Sequence, residues 1–237
     1  MNGAVAKKGL IGHNIRKAEN GTLRRVIGRE KEQRRVMHIL LRNLKNNPML
    51  LGPTGIGKTS IVEGVARALS EGRVPPKLKG YRLVGIDVAT MMIDSKTFAE
   101  YEDHLKTAFQ EIQASEGKWI LFVNDISFLA KTPTGNQEIP KFLKPKVLDG
   151  GIRCIVEAEL NAFKQYVEQD PDLMSCLQTM YIEEPTSAEA LEILKGVRPD
   201  YEKKFGIKIP DEILQSSVAM SARYVKSRLF PEKALDL

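Results

Sequence analysis

Five short apolar runs, at 49–51, 83–86, 119–123, 152–156 and 180–182, constrain this chain more than any other feature of it. Each is too short for a buried helix, is bounded by turn residues and is nearly continuous in apolar side chains, which is how a strand buried on both faces reads. Between them lie stretches with helical spacing, at 30–44, 59–70, 98–115 and 140–148. A parallel crossover needs a connection long enough to hold a helix, so this alternation predicts an α/β fold: a five-stranded parallel sheet with helices on both sides. After Glu184-Pro185 the pattern changes, because 187–197, 201–205 and 211–226 read as helices, with at most a short strand at 207–209. Thr186 and Asp211 precede two of these helices as N-caps would. The expected organisation is an N-terminal extension at 1–22 with a flexible start, a large α/β part at 23–185 and a small helical part at 186–237.

Composition supports a packed core. With 42% hydrophobic and 28% charged residues the chain is far from the disordered class. No run approaches the roughly 18 apolar residues of a membrane-spanning helix, and the first residues do not read as a secretion signal. A soluble, cytoplasmic protein with no membrane contact is the expectation. Cys154 and Cys176 lie 22 positions apart, outside any CxxC, and read as buried small hydrophobes. His13, His38 and His104 form no ligand pair, so no metal cluster is expected from them. Charge is uneven: residues 1–45 hold twelve basic side chains against three acidic ones. Such a segment could meet phosphate backbones or an acidic neighbouring subunit. No aromatic residue interleaves with the charges as a base-stacking platform requires, so nucleic acid is the less favoured partner.

The segment that carries chemistry is Gly52-Pro53-Thr54-Gly55-Ile56-Gly57-Lys58-Thr59, which fits GxxxxGK[ST] and sits between the first apolar run and a helix. Its glycines let successive N–H groups point at phosphates. Lys58 supplies a charge to the outer phosphate oxygens, and the Thr59 hydroxyl is placed to ligate Mg²⁺.

Val26-Ile27-Gly28-Arg29, Asn46-Asn47-Pro48, the 52–59 loop and Ile61-Val62-Glu63-Gly64 follow one another as in the Clp chaperones. Asp170-Pro171, Glu183-Glu184-Pro185-Thr186 and the closing Pro231-Glu232-Lys233-Ala234-Leu235-Asp236-Leu237 continue the match. The sequence therefore resembles the first nucleotide-binding module of the Clp/HSP100 family, an AAA+ P-loop fold with a helical lid, from about residue 23 onward. The resemblance implies ATP or ADP with Mg²⁺ as cofactors, Val26 and Ile27 beside the adenine, and Ile193 and Pro231 closing over it from the lid. It makes the candidate binding set Val26, Ile27, Gly52, Pro53, Thr54, Gly55, Ile56, Gly57, Lys58, Thr59, Ser60, Ile193 and Pro231, with Thr59 also on the metal. The family continues into a further helix after Asp236-Leu237, which implies here either a less well packed, truncated lid or a chain cut at that point.

Four positions depart from the family pattern. The third strand of a hydrolytic Clp module ends in Asp-Glu, for the Mg²⁺ shell and the attacking water; here it ends in Asn124-Asp125. Asn124 lacks the negative charge, and the Asp125 carboxylate is roughly 1.5 Å short of a glutamate's reach. A one-residue slip would put Asp125 on the metal side and Ile126 at the base position, so either register loses a catalytic group. A misplacement of about 1 Å can cost about 10²-fold in rate. At the end of the fourth strand the family's Gly-Ala-Thr-Thr is Val156-Glu157-Ala158-Glu159. These carboxylates either face the γ-phosphate, opposing ATP more than ADP, or turn to solvent. The family's arginine finger falls on Ser175-Cys176, and such fingers are worth roughly 10³ to 10⁵ in rate. The substrate-gripping Lys-Tyr-Arg-Gly is Lys96-Thr97-Phe98-Ala99.

The expected function is therefore an ATP- or ADP-binding Clp-like module with weak or absent hydrolysis, in a regulatory or assembly role beside AAA+ subunits or client proteins. Asp125 is the weak catalytic candidate, and Asn124 the degenerate metal-side position. The alternative is an active ATP-driven chaperone or unfoldase module whose arginine comes from a partner subunit. A nucleic-acid loader, signalled by steep salt dependence, is a third and less favoured class.

Overall fold

The computed structural model describes residues 26–86, 118–124 and 147–237, with Pro145 and scattered residues between 95 and 110. Its strands are β1 (Asn47–Leu51), β2 (Tyr81–Ile86), β3 (Lys118–Val123), β4 (Arg153–Ala158) and β5 (Leu177–Tyr181). They form one sheet in the order β2-β3-β4-β1-β5, and every neighbouring pair is parallel. The five apolar runs of the sequence are these five strands. Helices α1 (Glu30–Leu40), α2 (Lys58–Ser70), α3 (Leu160–Tyr166) and α4 (Pro171–Cys176) belong to the same part of the chain.

All five residues of β1 are buried, as expected of the strand between two neighbours with helices above and below. The pleat sends Met49 and Leu51 to one face, with Leu121, Cys154 and Val156, against Phe163, Val167 and Leu173. Leu50 joins Ile120, Phe122 and Ile155 on the other face, against Val36, Ile39 and Leu40 of α1 and Ile61 and Val65 of α2. Asn47, wholly buried, is fully employed: its Oδ1 accepts from the Cys154 N–H at 2.7 Å and its Nδ2 donates to the Cys176 carbonyl at 3.2 Å. It joins the start of β4 to the end of α4 through the strand between them. Both cysteines are buried, and neither is in a disulfide.

Residues 186–237 are mainly helical: α5 (Ser187–Phe205), α6 (Asp211–Tyr224) and α7 (Glu232–Leu235), around a core of Ala190, Leu194, Leu214, Val218, Phe230 and Ala234. Thr186 caps α5 in a capping box, its Oγ1 accepting from the Glu189 N–H at 3.2 Å while the Glu189 carboxylate accepts from the Thr186 N–H at 2.8 Å. The link into this part is held by Glu184, whose Oε1 accepts from the Phe230 N–H and from Lys233 Nζ, both at 2.8 Å.

Several local expectations are corrected. Segments 187–197 and 201–205 are one helix: Pro199 lies inside it on the exposed side, and the stop comes at Gly206, which is left-handed at φ 67°. Asp211 does not cap α6; Pro210 holds that position, and Asp211, in the first turn, receives the Arg198 guanidinium. Residues 207–209 are not a strand, and the Ile209 N–H goes to Glu202 Oε1 at 2.8 Å. Helix α1 stops at Leu40 rather than 44, because the chain turns back into β1 with Lys45 at φ 48°. The predicted helices at 98–115 and 140–148 fall mostly outside the described residues; those described within 99–110, and Pro145, Val147 and Leu148, are helical.

Candidate functional site

Because β1 lies between β4 and β5, the loop leaving its carboxyl end opens beside the ends of β4 and, one strand further, β3. Crevices at that edge of a parallel sheet are where ligands of such folds bind. The Gly52 N–H donates to the Ala158 carbonyl at 3.2 Å, fixing the loop's first residue against the end of β4. Gly55 and Gly57 then take φ values of 81° and 94°, a backbone that L side chains rarely adopt, and the chain enters α2 at Lys58. Ile56 contributes only backbone here, since its side chain is buried in the sheet core.

Lys58 Nζ donates to the Gly52 carbonyl at 2.7 Å and the Pro53 carbonyl at 2.8 Å, so the ammonium spans the loop that precedes it. Burial pushes its pKa down, against the pull of Glu157 and Glu159. The Thr59 hydroxyl donates to Glu157 Oε2 at 3.1 Å. Of the two carboxylates left open by the sequence, Glu157 faces inward: it is 5% exposed, and Oε1 is buried without a hydrogen-bond partner. Burial raises its pKa to about 7, Thr59 and Lys58 pull it back, and Glu63 adds to the rise. Glu159 is exposed, yet it does not simply turn away, because it accepts from the Thr54 hydroxyl.

A cavity of about 600 Å³ lies over the loop, within the usual size of small-molecule sites. Thr54, Gly55, Gly57, Lys58, Thr59 and Ser60 line it from below. Asn124, Glu157 and Glu159 line it from the strand ends, and Pro231, Glu232 and Asp236 from the small helical part. A Cβ on Gly55 would collide with the Glu232 carboxylate, which rests directly on the loop. Pro231 thus meets the phosphate loop in the same cavity. Ile193 lines a separate pocket of about 330 Å³ with Gly28 and Arg29. Val26 is half-buried and lines neither pocket, and Ile27 packs so closely on Gly196 of α5 that a Cβ there would clash. Gly52 and Pro53 face Lys58 through their carbonyls rather than lining the cavity.

Asn124 is exposed at the cavity wall, whereas Asp125, Lys96 and Phe98 lie outside the described residues. At the expected arginine-finger position Ser175 is exposed, with its hydroxyl on the Asp172 carbonyl at 2.6 Å, and Cys176 is buried. Neither offers a cation. The Asp170 side chain caps α4 by accepting from the Asp172 and Leu173 N–H groups at 3.1 and 3.2 Å.

Two contributors were not assigned a role from sequence. Arg29, left-handed at φ 66°, donates to the Ile56 carbonyl at 2.8 Å and the Glu183 carbonyl at 3.0 Å, tying the start of α1 to the loop and to the link after β5. Its signal was the Gly28-Arg29 pair beside the loop motif. Glu232 stood within a recognised segment, but only the fold brings it onto Gly55.

Comparison with known proteins agrees with this geometry. Residues 48–144 match the model for the ATPase family associated with various cellular activities (AAA), and residues 186–237 match an AAA lid domain. The chaperone protein ClpB of Rhodopirellula baltica is 37% identical over 222 residues, which cover 93% of this chain and 25% of ClpB. The chloroplastic ClpB3 of Arabidopsis thaliana is 38% identical over 93% of this chain and 23% of its own length. The chain thus spans about a quarter of the curated relatives it matches. Among solved structures, the Saccharomyces cerevisiae Hsp104–ADP complex superposes with a TM-score of 0.88 at 33% identity, covering 97% of this chain and 32% of that one. With its parallel sheet, glycine-rich loop after β1 and helical lid, the chain belongs to the AAA+ ATPases as a module of the Clp/HSP100 type.

Proposed function

We propose that this module binds ATP or ADP with Mg²⁺ at the 52–59 loop and hydrolyses ATP slowly or not at all, using the bound nucleotide as a structural or regulatory signal to AAA+ subunits or client proteins. One observation carries the reading: Lys58 and Thr59 sit at the mouth of α2 in an intact loop, while the neighbouring end of β3 carries Asn124 instead of a carboxylate. Binding depends on the loop's N–H groups and lysine, which this chain keeps. Turnover depends on groups at neighbouring strand ends and on an arginine, which it has changed. Mg²⁺ fits the donor set, since the Thr59 hydroxyl and carboxylate oxygens share the cavity, and oxygen is what this cation takes. When bound it would neutralise phosphate charge. The division into a large part at 23–185 and a lid at 186–237 belongs to the same reading.

The test is calorimetry with ATP and with ADP, followed by steady-state hydrolysis on the same sample, with Lys58→Ala as control. Saturable binding with turnover at the control's level supports the proposal; turnover at the rate of ordinary Clp modules refutes it. The chaperone names of the relatives favour a second reading, an ATP-driven chaperone or unfoldase module in which Asp125 is the base and a partner subunit lends the arginine. It predicts that mixing with another Clp subunit raises hydrolysis, and that Lys58→Ala abolishes the rise.

A further inference from the structure

In phosphate-loop ATPases the magnesium ion is held by the loop's Ser or Thr hydroxyl and by a carboxylate at the end of a nearby strand. Here the β3 end offers the neutral Asn124. The register of β3 and β4 ends with Val123 opposite Val156, so Asn124 and Glu157 are the residues that follow that last pair, and both line the cavity. Glu157 is 5% exposed, and its Oε2 already holds the Thr59 hydroxyl at 3.1 Å. Its Oε1 is buried, has no hydrogen-bond partner, and belongs to a residue lining the cavity. A buried carboxylate oxygen left bare is costly, and a hard cation is the partner that suits an acceptor-only group beside a hydroxyl.

We propose that Glu157 supplies the metal-side carboxylate of this module, so that the negative charge lost from the end of β3 is carried one strand over, on β4. The inference rests on the nucleotide-binding reading above. It also makes sense of the charge around the cavity. Among the described lining residues Glu157, Glu159 and Glu232, with Asp236 already paired to Arg228, face one ammonium, that of Lys58. Arg29 is close by but spends its guanidinium on Glu32 and on the Ile56 and Glu183 carbonyls. A polyphosphate arriving without a cation meets net repulsion. A divalent ion between Glu157 and the phosphates turns the same carboxylate from an obstacle into a ligand, so nucleotide binding should depend on the metal through Glu157.

The test is calorimetric ATP affinity in Mg²⁺ and in EDTA for the wild-type chain, Glu157→Ala, Glu157→Gln and Glu157→Ala with Asn124→Asp, together with Mn²⁺ binding in the presence of ADP by electron paramagnetic resonance. Thermal unfolding of each variant checks that it folds. The wild type should bind about tenfold or more tighter with Mg²⁺ than without. Glu157→Ala and Glu157→Gln should bind better than wild type in EDTA, lose most of the metal effect and lose the bound Mn²⁺ signal, and Asn124→Asp should restore both. The glutamine variant keeps a partner for Thr59 if the alanine variant fails to fold. Wild-type affinity that is insensitive to metal overturns this inference alone. So does a Glu157→Ala variant that binds more tightly in Mg²⁺ and EDTA by the same factor, which would make Glu157 a simple repulsive plug. No binding by the wild type in either buffer overturns the nucleotide reading as well.

Discussion

The loop after β1 and the ends of β3 and β4 face the same cavity, but they use different physics. The loop works through backbone: two left-handed glycines, an N–H row at a helix start and one lysine. The strand ends work through individual side chains, and there three residues depart from the family pattern: Asn124 stands for an acid, Glu157 for an Ala and Glu159 for a Thr. On the proposed reading, phosphate binding is encoded where sequence must stay nearly fixed for the turn to form, and turnover where single side chains change without disturbing the sheet. A module can lose the second and keep the first.

The sharpest way to break that contrast is at Lys58. Lys58→Ala removes the one cation that the described cavity wall presents, and ATP affinity measured by calorimetry should fall by a factor corresponding to about 2–5 kcal/mol. Unchanged affinity would mean that nucleotide is not held by this loop. The scaffold is tested next at Asn47, whose substitution by Ala removes the acceptor of the buried Cys154 N–H, at about 1–3 kcal/mol. Urea unfolding should show that loss. Glu157→Gln should act in the opposite direction, raising nucleotide-free stability by roughly 1–2 kcal/mol, because it removes a buried charge with a bare oxygen and retains a partner for Thr59. A destabilised variant in thermal unfolding would contradict that account of the strand end. Smallest is Thr186→Ala, which removes the cap of α5 at a cost of about 1 kcal/mol and should leave the phosphate loop untouched. Its signature would be faster hydrogen exchange in the first turn of α5.

The sequence made the sheet legible because fully buried strands need nearly unbroken apolar runs, and all five runs of that kind became strands. It made the loop legible because a φ near 90° at Gly57 all but requires glycine. Short helices were harder: α3 and α4 span 7 and 6 residues, too few for helical periodicity to declare itself. Pro199 lies on the exposed side of α5 and the helix runs through to Gly206, and Asp211, within the first turn of α6, is held by Arg198 instead of capping. At the site, the sequence named Glu157 and Glu159 but could not say where they point. Glu157 lies within β4 on the face of Ile155 and Leu50 and is buried on Thr59, whereas Glu159 lies beyond the strand's end and is exposed on Thr54. Glu232 on Gly55 and Arg29 on Ile56 arise from contacts between distant segments, which no local pattern records.

The most direct measurement is steady-state ATP hydrolysis on a sample whose ATP affinity has already been determined, with Lys58→Ala as the blank. Saturable binding with turnover indistinguishable from the blank is the predicted result. Turnover at the rate of an ordinary Clp module, abolished by Lys58→Ala, would contradict it and show that the altered strand ends still support catalysis.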